Sequence, residues 1–272
     1  MKKIIIVLAT LTACFFSLLA ILKTSKVFNF SPKQFKDPQA ILNFDTLLVV
    51  FLILTIPILL VFIVQRFIHN KPLNLIGIKK PFFLSFILFT SVGIGIKFIA
   101  LLISWLYSGL PMLTPNFEVF NFFEILPYFS WFLITLVLGS FSEEVVYRAY
   151  PLENTKELVS PIVLVFVFAI IFSSMHFIIE KPNLLRFLYR LSFGTLTGFI
   201  FLKQQSIAEV VGLHTGWNFG SLVINDASWQ TGAMYRFSEL IPSSEMISNI
   251  AILSLSSIIY YFLNSRTLTR LK

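Results

Sequence analysis

Leu47-Leu48-Val49-Val50-Phe51-Leu52-Ile53-Leu54-Thr55-Ile56-Pro57-Ile58-Leu59-Leu60-Val61-Phe62-Ile63-Val64 contains no charged side chain and a single hydroxyl, that of Thr55. A helix needs roughly 20 mostly apolar residues to cross a bilayer, and no face of this stretch is polar enough to meet water. Ile4 to Leu22 and Met246 to Leu263 read the same way, and Phe82 to Leu106 differs only in holding Lys97. Four further apolar stretches carry ionisable groups: Ile125 to Tyr150, Val159 to Ile179, Phe187 to Leu202 and Ile207 to Ile224. The expected fold is therefore all-α, a polytopic integral membrane helix bundle of about eight transmembrane helices.

Composition supports this. Of 272 residues 57% are hydrophobic and 12% charged, against about 25% charged in an ordinary soluble domain. Thirty-two Phe and a mean hydropathy of +0.86 exceed what one buried face per helix can hide. The net charge of +8 would suggest nucleic acid in a soluble chain. Here Lys and Arg fall mainly between apolar stretches, where they set orientation and meet anionic headgroups, so no nucleic-acid partner is expected. With the N-terminus inside, the larger share is cytoplasmic: Lys2, Lys3, Arg66, Lys71, Lys79, Lys80, Arg148, Lys156, Lys203, Arg266, Arg270 and Lys272. The lysines from Lys23 to Lys36 oppose that bias. Cys14 is the single cysteine, so no intrachain disulfide and no cysteine zinc cluster can form. Leu11-Thr12-Ala13-Cys14 has the look of a lipoprotein cleavage box, but the apolar run continues to Leu22, and a first transmembrane helix is the expectation. Turns are expected at Pro111 to Asn116 and Lys181 to Asn183. Trp105, Trp131 and Trp229 are expected in interfacial belts.

Ionisable groups inside such spans cost roughly 2.5–3.5 kcal/mol each on insertion scales, and they normally face a bundle interior or a wet cavity. Phe141-Ser142-Glu143-Glu144-Val145-Val146-Tyr147-Arg148 holds two carboxylates and a guanidinium. On an α-helix Glu144 and Arg148 share a face as i,i+4 neighbours, while Glu143 points about 100° away. Arg148 can then neutralise Glu144 and leave Glu143 to face something else. Phe172-Ser173-Ser174-Met175-His176 places an imidazole in an otherwise apolar span, with Phe172 one turn before it. Gly212-Leu213-His214-Thr215-Gly216-Trp217-Asn218 sets His214 and Asn218 on one side, and its two glycines would admit another helix closely. Each element has an ordinary explanation in hydration or interhelical hydrogen bonding. Glu209 falls about 140° from His214 and is expected at an interface. Trp217 is expected in packing, and Lys97 either snorkels or pairs with a carboxylate of another span. Together the carboxylates, imidazoles and carboxamide can activate water and stabilise an oxyanion.

Glu143-Glu144-xxx-Arg148, Phe172-xxx-His176 and His214-xxx-Asn218, in that order on successive apolar spans, resemble the signatures of the CPBP intramembrane proteases. These are also called the type II CAAX prenyl endopeptidase or Abi family. The resemblance covers about residues 125–226, between an N-terminal transmembrane region of about four helices (1–120) and a C-terminal helix and tail (227–272). Ala149 departs from the family, which often has Gly after the Arg. Some family members trim the last three residues from prenylated CAAX proteins; many bacterial members have unknown substrates, some linked to bacteriocin immunity.

The resemblance implies a hydrolase that cuts a peptide bond in a membrane-associated protein or peptide, with Glu143 as general base and His176 helping to hold the water. His214 and Asn218 would donate to the oxyanion, and Glu144 and Arg148 would orient Glu143. No cofactor is expected on that reading. The metalloprotease version, with Zn2+ on Glu143, His176 and His214 and Glu144 as base, stays open, though no HExxH is present. Two other readings are a non-catalytic bacteriocin-immunity or scaffold protein and a proton-coupled transporter. The expected location is a multi-pass position in the lipid bilayer, in the plasma membrane of a prokaryote.

Overall fold

The computed structural model describes residues 2–24, 44–79, 82–109, 113–115, 122–178, 181–223, 235–237 and 242–268. Helices α1 (Lys2–Thr24), α2 (Phe44–Ile63) and α3 (Phe82–Tyr107) form the N-terminal part. A π-helical turn, Val64–Ile68, extends α2. Helix α4 (Phe122–Glu144) passes through a second π-helical turn, Val145–Ala149, into the short α5 (Tyr150–Thr155). Then come α6 (Pro161–Met175), which ends in the 3-10 turn His176–Ile178, α7 (Leu184–Gln204), α8 (Ile207–Val223) and α9 (Pro242–Leu268). Among the described residues two three-residue strands, β1 (Leu113–Pro115) and β2 (Tyr235–Phe237), accompany the helices and pair antiparallel with Leu113 opposite Phe237. The expected turn at Pro111 to Asn116 thus contains a strand, and the rest of it lies outside the described residues. Asn183 is an N-cap, its side chain accepting from Arg186 N at 3.0 Å, so α7 begins before the expected Phe187.

Among the described residues, five helices are long and apolar enough to cross a membrane: Lys2–Thr24, Asp45–Ile68, Phe82–Tyr107, Pro161–Ile178 and Ser243–Asn264. They turn large apolar side chains outward, among them Phe16, Phe51, Leu84, Val163 and Phe262. An outward face of that size is stable against lipid rather than water. Helix α8 has the opposite character, with every residue from Ile207 to Trp217 buried. Its ionisable side chains are shielded by neighbours, which is how a short polar helix is tolerated at membrane depth.

The closest helix contact is α3 against α8. A Cβ on Gly212 would collide with the Phe86 carbonyl, one on Gly216 with the Thr90 carbonyl, and one on Gly93 with the Leu213 carbonyl. The two glycines therefore admit a helix at backbone distance, as their spacing predicts, and the helix is α3. The loop after α2 is fixed by Gly77, whose φ of +87° suits glycine and whose carbonyl accepts from Ile207 N at 2.9 Å.

One end of the bundle is tied by polar contacts: Lys3 Nζ to Glu157 Oε2 at 3.2 Å, Asn154 Nδ2 to Gln65 Oε1 at 2.8 Å, and Lys156 Nζ to Gln205 Oε1 at 3.0 Å. His69 Nε2 and Tyr150 Oη lie 3.1 Å apart at the same end. This is the end that the lysine and arginine distribution assigns to the cytoplasm. One residue drops out of that distribution, however, because Arg148 is buried in the bundle. Trp229, Lys80, Arg270, Lys272 and the lysines at 26, 33 and 36 lie outside the described residues. Glu209 is buried in the first turn of α8, where the helix dipole favours a carboxylate. Lys97 pairs rather than snorkels, its Nζ lying 3.2 Å from Glu245 Oε1.

Candidate active site

The site forms where the end of α4 meets α6, α7 and α8. Glu143 and Glu144 close the α-helical part of α4, and Arg148 sits in the π-helical turn that follows. Such turns widen one helical ring by a residue and recur at functional sites. The i,i+4 pairing survives: Arg148 Nε lies 3.4 Å from Glu144 Oε2, with both side chains buried. The guanidinium also lies over Phe172, its central carbon 3.7 Å from the ring centroid, a buried cation–π contact. Gly194 of α7 leaves room for it, since a Cβ there would stand 3.0 Å from Arg148 Nη2.

Glu144 does more than balance Arg148. Its Oε1 is 2.7 Å from His214 Nδ1. An ionised carboxylate only accepts, so Nδ1 carries hydrogen and donates to it. That bond turns Nε2 of His214 toward Glu143, whose Oε2 lies 3.8 Å away. At that separation the two do not bond directly. Glu143 keeps 37% of its side chain exposed, in contrast to the closed-in Glu144.

The imidazole of His214 is held on its face as well. Phe193 of α7 lies 4.8 Å from it at 63°, and Phe172 lies 6.4 Å away at 89°. Phe172 is thus the hub of the site, touching Arg148, His214 and His176, whose ring is 4.7 Å away edge-on. His176 stands at the end of α6, half-buried, with Nδ1 2.9 Å from the Phe172 carbonyl. Because a carbonyl only accepts, Nδ1 again carries hydrogen, and in the neutral ring Nε2 is the lone-pair nitrogen. Asn218 lies half-buried one helical turn beyond His214 on α8.

The fold brings Glu143, Glu144, Arg148 and His214 into one connected set, with His176 joined through Phe172. Among the described residues no three His, Cys, Asp or Glu side chains converge as a metal-binding set. The zinc set expected on Glu143, His176 and His214 is thus not assembled as a group of three in this arrangement. Ring geometry alone would not decide, since a metal-bound His also directs its other N–H at a carboxylate or carbonyl. Phe193, Gly194 and Tyr189 had no sequence signal, because each acts by its position on α7 against another helix.

Residues 125–220 match the family model described as type II CAAX prenyl endopeptidase Rce1-like. This segment is similar to that family. It contains Glu143, Glu144, Arg148, His176, His214 and Asn218. Among curated proteins, none matches the chain. The Rce1-like segment does not stand alone in the fold, since α3, outside it, lies in backbone contact with α8 inside it. Between α3, α4 and α8 lies an apolar cavity of about 620 Å3 lined by Phe82, Phe86, Leu133, Phe141 and Val211. Phe141 stands two residues before Glu143, and Val211 three before His214.

Proposed function

We propose that the chain is an intramembrane endopeptidase in which Glu143 activates water against a peptide bond of a membrane-associated protein or peptide. The observation that carries this reading is the ordered set Arg148, Glu144, His214, Glu143. A buried, neutralised carboxylate fixes one imidazole, and that imidazole faces a second, partly exposed carboxylate. The two carboxylates have environments different enough to hold different roles.

In the proposed reaction Glu143 takes a proton from water as its oxygen bonds to the carbonyl carbon. His176 Nε2 accepts the water's other hydrogen and orients it. The carbonyl electrons move onto oxygen, and the oxyanion receives hydrogen bonds from Asn218 Nδ2 and from Nε2–H of His214 in its doubly protonated form. Glu144 stabilises that cation through Nδ1–H. As the tetrahedral intermediate collapses the C–N bond breaks, and Glu143 passes its proton to the leaving amine, giving a carboxylic acid and a free amine. The apolar cavity beside Phe141 and Val211 supports a substrate that arrives with an apolar portion in the lipid.

The test is incubation of purified protein in detergent with prenylated CAAX peptides and a membrane-peptide library, with and without chelator. This reading expects cleavage that survives chelator. Loss with chelator and rescue by zinc would overturn the metal-free mechanism. Absence of any cleavage, with a cellular phenotype kept after Glu143→Ala, would favour the immunity or scaffold role. Activity seen only in vesicles under a proton gradient would favour transport.

A further inference from the structure

Lys97 lies in the body of α3 with no exposed surface, at a depth where an unpaired charge is expensive. Its Nζ is 3.2 Å from Glu245 Oε1 and 3.3 Å from Asn249 Oδ1, two groups one turn apart on α9. It also stands 5.0 Å above the ring of Trp217 on α8. Gly220 on α8 completes the fit, for a Cβ there would come within 2.7 Å of Lys97 Cγ. The proposed reaction uses none of these groups.

Trp217 connects them to the site. Its Nε1–H donates to Tyr189 Oη at 2.6 Å, and its ring lies 5.9 Å from Phe193. Phe193 is the ring that packs on His214 at 4.8 Å. From the charge pair to the imidazole the path is therefore Lys97, Trp217, Phe193, His214, each member buried and each contact made between different helices or one turn apart on α8. Glu245 and Asn249 lie on α9, beyond residue 220, where the Rce1-like match ends.

We infer that Lys97, Glu245 and Asn249 are positioning residues for His214, acting through Trp217 and Phe193. Two features of the geometry lead there. The Nζ has three acceptors of positive charge around it, so the lysine head is held from several directions. Aromatic rings in contact pass on a displacement because a packed interior has no slack to absorb it. Breaking one charge leaves its partner buried and unmatched, which forces α9 or the lysine to shift. Trp217 then loses one wall, and the ring that faces His214 moves with it. The effect on turnover rests on the protease reading, whereas the displacement of His214 does not.

The experiment compares wild type, Lys97→Met and the neutral pair Lys97→Met/Glu245→Gln, in detergent. The chain has three histidines, so nitrogen-labelled imidazoles can be resolved by NMR and assigned by substitution. The expected result for Lys97→Met is a moved His214 signal with His69 unchanged, and kcat lower by up to about 100-fold with little change in KM. The neutral pair should return both readouts toward wild type, because no buried charge is left unmatched. If Lys97→Met does not fold, Glu245→Gln keeps an acceptor oxygen in place and carries the same comparison. A folded single variant with His214 unmoved and kcat unchanged would overturn the inference. If wild type cleaves nothing, the protease reading fails, and the His214 signal still decides whether the network positions that ring.

Discussion

Adjacent glutamates should fail in opposite ways. Glu144 is closed off from solvent between Arg148 Nε at 3.4 Å and His214 Nδ1 at 2.7 Å. Glu144→Ala removes a carboxylate paired with a guanidinium that is itself buried, and breaking a buried pair from one side costs about 3–5 kcal/mol. For a chain of this size that corresponds to a melting temperature lower by roughly 6–20 °C. Glu143, at 37% side-chain exposure, stands 3.8 Å from His214 Nε2, beyond direct hydrogen-bond reach. Glu143→Ala should therefore shift the melt by no more than about 4 °C, as exposed pairs contribute at most about 1 kcal/mol. Thermal unfolding of the detergent-solubilised variants, followed by circular dichroism, reads both numbers. Adding Arg148→Met to Glu144→Ala should recover part of the loss, since it removes the stranded cation. If Glu144→Ala melts with wild type while Glu143→Ala collapses, the division of roles derived from the geometry is wrong.

Asn218→Ala should lower kcat by about 10²- to 10³-fold with the melt unchanged, as for loss of an oxyanion donor, and wild-type turnover in that variant would remove Asn218 from the site. Gly216→Val should prevent α3 and α8 from meeting, because even a Cβ at 216 collides with the Thr90 carbonyl; normal folding of that variant would contradict the contact. Burial holds the His69 imidazole below its ordinary 6.5, with Lys71 and Lys3 adding to the effect. The unfolded chain therefore takes up the proton first. The stability from neutral His69 is complete above about pH 6.5 and is lost as pH falls through the lower folded value. Wild type should thus lose more melting temperature than His69→Gln between pH 7.5 and pH 5 on the order of these window limits, and parallel losses would refute the assignment.

Sequence alone revealed the apolar spans because lipid imposes a length and a composition on each of them. It revealed the Glu144–Arg148 pair and the close approach at Gly212 and Gly216 because both follow from helical spacing. It did not reveal the π-helical turn at Val145–Ala149, which has no residue-type signature in this stretch. Nor could it assign Glu144 to His214 rather than to Glu143, since that bond joins residues 70 apart and depends on how α4 crosses α8. The partner of Lys97 was similarly hidden, with 148 residues between it and Glu245. Phe172 was read as a neighbour of His176, whereas its ring also carries Arg148 and faces His214. Periodicity says which face of a helix a residue occupies, and only the packing of helices says what that face meets.

The most direct measurement is cleavage of one identified membrane-peptide substrate by wild type and by Glu143→Ala, each first shown to be folded. The account predicts a product with a new carboxyl terminus for wild type and none above background for the variant. Equal cleavage by the two proteins would contradict the central claim that Glu143 is the base that activates water.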